Sequence, residues 1–111
     1  MVKVSVLYPN SETTKFDMDY YLAHHIPLVR QLVGPALRGV FVEQGVSGVQ
    51  ADSSPAYIAM GNLLFDSVEE FQASFGQHAP AIVGDIPNYT SSQPTIQISE
   101  VKLSPAGNEN S

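Results

Sequence analysis

Two adjacent tyrosines and two adjacent histidines, Tyr20, Tyr21, His24 and His25, fall within one short stretch from Phe16 to Val29. Imidazole is the side chain that gains and loses a proton near neutral pH, and a phenol can donate to a polar ligand. Proton transfer is therefore the chemistry this stretch suits. The stretch also reads as a helix: Asp17 is a good N-cap, and Phe16, Tyr20, Leu28 and Leu32 recur at helical spacing. On that helix His25 lies near Tyr21 and His24 near Tyr20. Successive positions diverge by about 100°, so the two pairs cannot share one pocket equally. One is expected to face the sheet and the other a cleft or solvent. Pro27 has no N–H for the carbonyl of Ala23, so a kink is expected beside the histidines.

Composition narrows the classes. The chain has 111 residues, enough for one compact domain with a small core. Five basic residues face eleven acidic ones, for a net charge of -6. Such a balance argues against nucleic acid and against anionic membranes, because phosphate binding needs clustered Lys and Arg. Cysteine is absent, which excludes a disulfide framework and a thiol nucleophile. No secretory leader pattern and no apolar run of bilayer length is present, so a cytoplasmic protein is expected.

The elements that must position the histidines follow in order. Val2, Val4 and Val6 alternate with Lys3 and Ser5, predicting a strand from Met1 to Tyr8. The first helix runs from Asp17 to about Val33 and stops at Gly34-Pro35. A second strand is expected over Leu37 to Val49, with a bulge or early exit at Gly45 and Gly48. The third spans Ala56 to Phe65. Ser67 and Glu70 have capping-box spacing at the start of a second helix, which carries Phe71 and Phe75. Pro80 begins a short helical piece ending at Gly84, a turn-rich loop covers Asp85 to Thr90, and a fourth strand covers Pro94 to Leu103. Residues 1–104 form one domain, and 105–111 read as a disordered tail.

The order βαββαβ is the α+β, ferredoxin-like pattern, a four-stranded antiparallel sheet with both helices on one face. The third strand offers Ile58, Met60 and Leu64 on the side opposite Tyr57, Ala59 and Leu63. Covering a second apolar face is worth several kcal/mol at roughly 25 cal/mol per Å². A second copy packed sheet to sheet, closing a dimeric α+β barrel, is the expected arrangement.

Phe16-Asp17-x-x-Tyr20-Tyr21-x-x-x-His25-x-Pro27-Leu28 and Gly84-Asp85-Ile86-Pro87-Asn88-Tyr89-Thr90, followed by Gln93-Pro94 and Gln97-Ile98-Ser99-Glu100-Val101, resemble the EthD family. That family is named for ethyl tert-butyl ether degradation and belongs to the dimeric α+β barrel superfamily. The resemblance spans Val2 to about Leu103. It implies a homodimer that binds a small molecule. His25, Tyr21 and Pro27 match positions on the family's first helix, and Asp85 matches its acidic position before the last strand. This chain adds His24 beside the matching histidine.

Two functions remain open on these residues. As an enzyme, the protein would act on a small, largely apolar carbonyl, lactone or ether-derived compound. His25 would be the general acid/base, Asp85 would orient its ring, and Tyr21 or Tyr89 would donate to a carbonyl or enolate oxygen. Phe41, Tyr57, Met60, Phe71 and Phe75 would line the cleft. The same aromatic residues and Met60 serve equally as plain core, and Asp85 as a loop cap. The alternative function is a non-catalytic ligand carrier or accessory subunit. No cofactor is expected: no Gly-x-Gly-x-x-Gly follows a strand, and no basic grip for heme propionates exists. No metal is expected from His24, His25 and His78 either, since adjacent histidines on one helix diverge and no Glu-x-x-His or His-x-x-x-His spacing exists.

Overall fold

The computed structural model describes residues 1–105; residues 106–111, which hold most of the expected tail, lie outside the described residues. Strand β1 (Val2–Pro9) leads through a polar loop to helix α1 (Met18–Tyr20), a π-helical turn (Tyr21–His25) and helix α2 (Ile26–Val33). Gly34 follows with a positive φ of 75°, a conformation that suits glycine, and Pro35 stops the helix. Strand β2 (Gly39–Gln44) and strand β3 (Tyr57–Phe65) come next, then helix α3 (Val68–Phe75), helix α4 (Ala79–Gly84) and strand β4 (Thr95–Glu100). Ser67 accepts from the Glu70 N–H at 3.1 Å and so starts α3 where the capping spacing puts it.

The sheet is antiparallel with order β2-β3-β1-β4, as the ferredoxin-like pattern requires. β2 is shorter than the expected 37–49. It leaves the ladder after Gln44, where Gly45 still donates to the Ile58 carbonyl at 2.9 Å but lies too close to Tyr57 and Pro55 to carry a side chain.

The expected barrel is not formed. Among the described residues, each of β2 and β4 is paired on one side only, so the four-stranded sheet stays open. Closing a sheet requires its two edge strands to hydrogen-bond around a shared interior. Here the helices instead fill one face. Val2, Val4, Leu63 and Phe65 from the sheet meet Val29, Val33 and Ile82 in the main core, with Phe71 and Phe75 packed against it.

The opposite face of the sheet is mixed rather than apolar. Lys3, Ser5 and Leu7 alternate outward from β1, and the register sets them beside Leu64, Asn62 and Met60. Phe41 is 45% exposed there, with the Lys3 ammonium 5.8 Å from its ring centre. Asn62 is buried between Met60 and Leu64, and its amide donates to the Phe41 carbonyl and the Glu43 carboxylate. Among the described residues, no helix is long and apolar enough to cross a membrane.

Candidate active site

Pro27 shapes the site. Because it cannot donate to Ala23, the helix widens by a residue into the π turn, which closes with the Ile26 N–H on the Tyr21 carbonyl. Pro27 then sits in the first turn of α2, where a missing N–H costs little. The expected kink is thus a widened turn. It buries Tyr21 and His25 together against the sheet, with ring centres 5.4 Å apart and planes 15° from parallel. Leu22, Ala23 and His24 face outward, and His24 lies against Tyr20 at 4.8 Å.

A second segment is tied to the helix start. Asp17 caps α1 by accepting from the Tyr20 N–H at 3.0 Å, while its own N–H donates to the Tyr89 carbonyl at 2.7 Å. Phe16 and Thr90 form an isolated bridge, and the Thr90 hydroxyl donates to the Lys15 carbonyl at 2.6 Å. These bonds fix the Tyr89 loop beside the π turn. Asp85 ends α4, four residues earlier, and reaches the same point from the other side.

Asp85 Oδ2 lies 2.9 Å from His25 Nδ1. The carboxylate also accepts from the Tyr20 hydroxyl at 2.8 Å and the Asn88 amide at 2.9 Å. An ionised carboxylate can only accept, so Nδ1 carries the imidazole proton and Nε2 presents its lone pair. The Tyr89 hydroxyl donates to Nε2 at 3.3 Å, a long bond, and in turn accepts from the Tyr8 hydroxyl at 2.7 Å. His25, Tyr8, Tyr21 and Tyr89 are all at most 4% exposed.

The protonation states follow. Burial pushes the His25 pKa below its ordinary 6.5, and the Asp85 bond and charge offset this only in part. Burial works to raise Asp85, but the bonds from Asn88, His25 and Tyr20 outweigh it and hold the carboxyl below its usual range. Burial drives the phenols of Tyr8, Tyr21 and Tyr89 well above 10.0. Near neutral pH the site thus holds a neutral base, an anion behind it and three phenols that remain donors.

A cavity of about 50 Å³ opens between sheet and helices, with Val6, Gly61, Val29, Phe75 and Ile86 in its almost wholly apolar wall. Tyr8, Tyr21 and His25 are its polar members. The Tyr21 hydroxyl occupies the space where any Cβ on Gly61 would stand, so Gly61 is what admits that phenol.

The structure brings together His25, Asp85, Tyr21 and Tyr89 of the sequence candidates, with Phe75 on the cavity wall. Phe71 lies in the core between Phe65 and Phe75, at 5.2 and 5.1 Å. Tyr57 stands at the start of β3 beside Gly45. Phe41 and Met60 face away from His25, across the sheet. Three participants escaped the sequence reading: Tyr8, the Tyr20–Asp85 bond and Gly61. Tyr8 had a signal, since it shares the inward parity of Val2, Val4 and Val6, and a buried phenol needs a partner. Among the described residues, no group of three or more His, Asp or Glu is placed to hold a metal ion.

Residues 10–93 match the EthD domain model. The chain belongs to the EthD family. An EthD-like protein from Ralstonia eutropha JMP134 is 39% identical over 96% of each chain, with a TM-score of 0.91. An ethyl tert-butyl ether (EthD) family protein from Bacillus halodurans C-125 shares the fold at 24% identity and TM-score 0.70, over 91% of this chain and 98% of that one. HapK from Hahella chejuensis shares it more distantly, at 11% identity and TM-score 0.59, over 97% and 100% of the two chains. No curated protein matches the chain. EthD membership thus accompanies a buried His–Asp pair of the kind that acid/base chemistry uses.

Proposed function

We propose that this EthD-family protein catalyses proton transfer on a small, largely apolar carbonyl or lactone compound, with His25 as the acid/base and no cofactor. The observation that carries the reading is that His25, paired with Asp85, lines an apolar cavity. The His25 Nδ1 is committed to a carboxylate, and among the described residues its Nε2 has only a long bond, to Tyr89. A bound carbonyl compound displaces the Tyr89 hydroxyl from Nε2. Nε2 then takes the proton from the carbon beside the carbonyl, and the C–H electron pair moves onto oxygen as an enolate. Tyr21, on the cavity wall, donates its O–H to that oxygen. The imidazolium that forms is stabilised by Asp85, and it returns the proton to carbon or to oxygen. Isomerisation and decarboxylation of β-keto compounds both pass through such an enolate.

One observation favours a second reading. Tyr89 already occupies Nε2, which completes a hydrogen-bond chain that a ligand carrier without turnover would also keep. Turnover of a panel of small lactones and β-keto compounds by wild type and His25→Ala separates the two. Catalysis requires turnover that the substitution removes; ligand binding without turnover by either protein supports the carrier.

A further inference from the structure

The cavity beside His25 is too small for a whole substrate of ordinary size. A water needs about 10–15 Å³ of such space, so 50 Å³ holds only roughly four heavy atoms. A groove of about 600 Å³ lies next to it and shares four wall residues with it, Val83, Ile86, Pro94 and Ile96. The groove exists because α4 is only six residues long and ends at Gly84, so the helical layer stops short of β4. Val83 and Ile96 are left 51% and 53% exposed as a result. On the other side of the groove runs the segment Thr90 to Gln93. The hydroxyls of Thr90 and Ser92 are committed to the carbonyls of Lys15 and Pro9, at 2.6 and 2.8 Å. Gln93, with its side-chain amide, is an exposed residue of this rim.

We infer that the groove is the second half of the binding site, and that Val83 and Ile96 form the neck that sets specificity. The ligand class is a carbonyl compound with a slim acyl end of roughly four heavy atoms and a larger body. The slim end enters the cavity beside His25. The body lies on Val83, Ile86 and Ile96, with any hydrogen-bonding edge toward Gln93. A branched acyl end stops at the neck. The inference rests on the His25 cavity being the reacting site, but its test reads binding rather than turnover.

Three ketones serve as probes: butanone, benzylacetone and the tert-butyl ketone that has the benzylacetone body. Binding is followed by NMR of the His25 ring and of the Val83 and Ile96 methyl groups. Benzylacetone is expected to shift all three residues and to bind at least about tenfold more tightly than butanone, because its ring buries apolar surface in the groove. The tert-butyl ketone is expected to shift Val83 and Ile96 without shifting His25. Ile96→Trp, and independently Val83→Trp, should bring benzylacetone down to the wild-type butanone affinity or below it. Both positions are half exposed, so two separate variants guard against a local folding defect. The inference is overturned if benzylacetone binds no better than butanone, if none of the probes binds, or if both tryptophan variants leave its affinity unchanged. Binding as expected, without any deuterium exchange into the probe, would retain the two-part site and refute the acid/base reading alone.

Discussion

Gly61→Ala is a sharp probe of how the site is built. Gly61 lies within β3, so the only new cost of alanine there is the contact its methyl makes. That methyl would stand where the Tyr21 hydroxyl is. Tyr21 has little room to retreat: it is 2% exposed and packed on Tyr8, Phe16, His25 and Tyr89, with ring centres 5.0–5.8 Å away. Overpacking of this kind costs about 1–3 kcal/mol. Against it stands the gain of roughly 0.4–1 kcal/mol that alanine brings over glycine where the space allows. The net expectation is a loss of about 1–2 kcal/mol, a drop in Tm of roughly 4–12 °C for a domain of this size. Tyr21→Phe removes the obstructing oxygen. In that background the same Gly61→Ala change should be neutral or slightly stabilising, so the cycle should show a coupling of about 2 kcal/mol. Thermal unfolding of the four proteins by circular dichroism reads both numbers. Additive effects, or a wild-type background that tolerates alanine, would show that Tyr21 does not press on Gly61 and that the site geometry is wrong.

Acid should destabilise the fold in two stages. His25 is depressed in the folded state, so the stability it contributes is full above 6.5 and is lost as pH falls below that value; Tm of wild type should fall there more than that of His25→Gln. Asp85 is also depressed and adds a second loss beginning near 3.8, which Asp85→Asn should remove. The three raised phenols act in the opposite sense, so stability should fall as pH rises through 10.0, with the share of tyrosinate absorbance that belongs to these three appearing only as the protein unfolds. Asp85→Asn should lower the His25 pKa further in an NMR titration, because the carboxylate is what partly offsets burial; an unchanged value would break the proposed pairing. A homodimer is proposed for the whole protein, through the sheet face that leaves Phe41 exposed; light scattering at micromolar concentration should give twice the chain mass, and a clean monomer would refute it.

The histidine side of the site was legible because its signals are local. Helical spacing pairs His25 with Tyr21, and Pro27 demands a departure from regular helix within reach of both. What spacing could not show is the form of that departure, since a π turn and a sharp kink satisfy the same missing N–H. The strand order was legible from alternation and turn residues, whereas closure was not. Alternation assigns faces but not what happens at the two edges, and β2 and β4 remain edges. Ile58, Met60 and Leu64 predict an apolar outward face, yet Asn62 interrupts that row and finds its partners on β2. Phe41 and Met60 show the limit of composition as a guide to a pocket. Each has a side chain suited to lining one, but their register parity sends them to the other side of the sheet. Tyr8 and Gly61 act through contacts between β1, β3 and the π turn, which only the assembled fold brings together.

The most direct test of His25 as the proton-transfer group is deuterium incorporation beside the carbonyl of benzylacetone in heavy water, measured near neutral pH with wild type, His25→Ala and His24→Ala. Wild type should accelerate exchange over buffer. His25→Ala should lose that acceleration by a factor of roughly a hundred or more, with its circular dichroism spectrum retained. His24, exposed and turned away from the cavity, should matter by no more than a few-fold. Exchange that survives in His25→Ala, or that is abolished by His24→Ala instead, would contradict the assignment of the base.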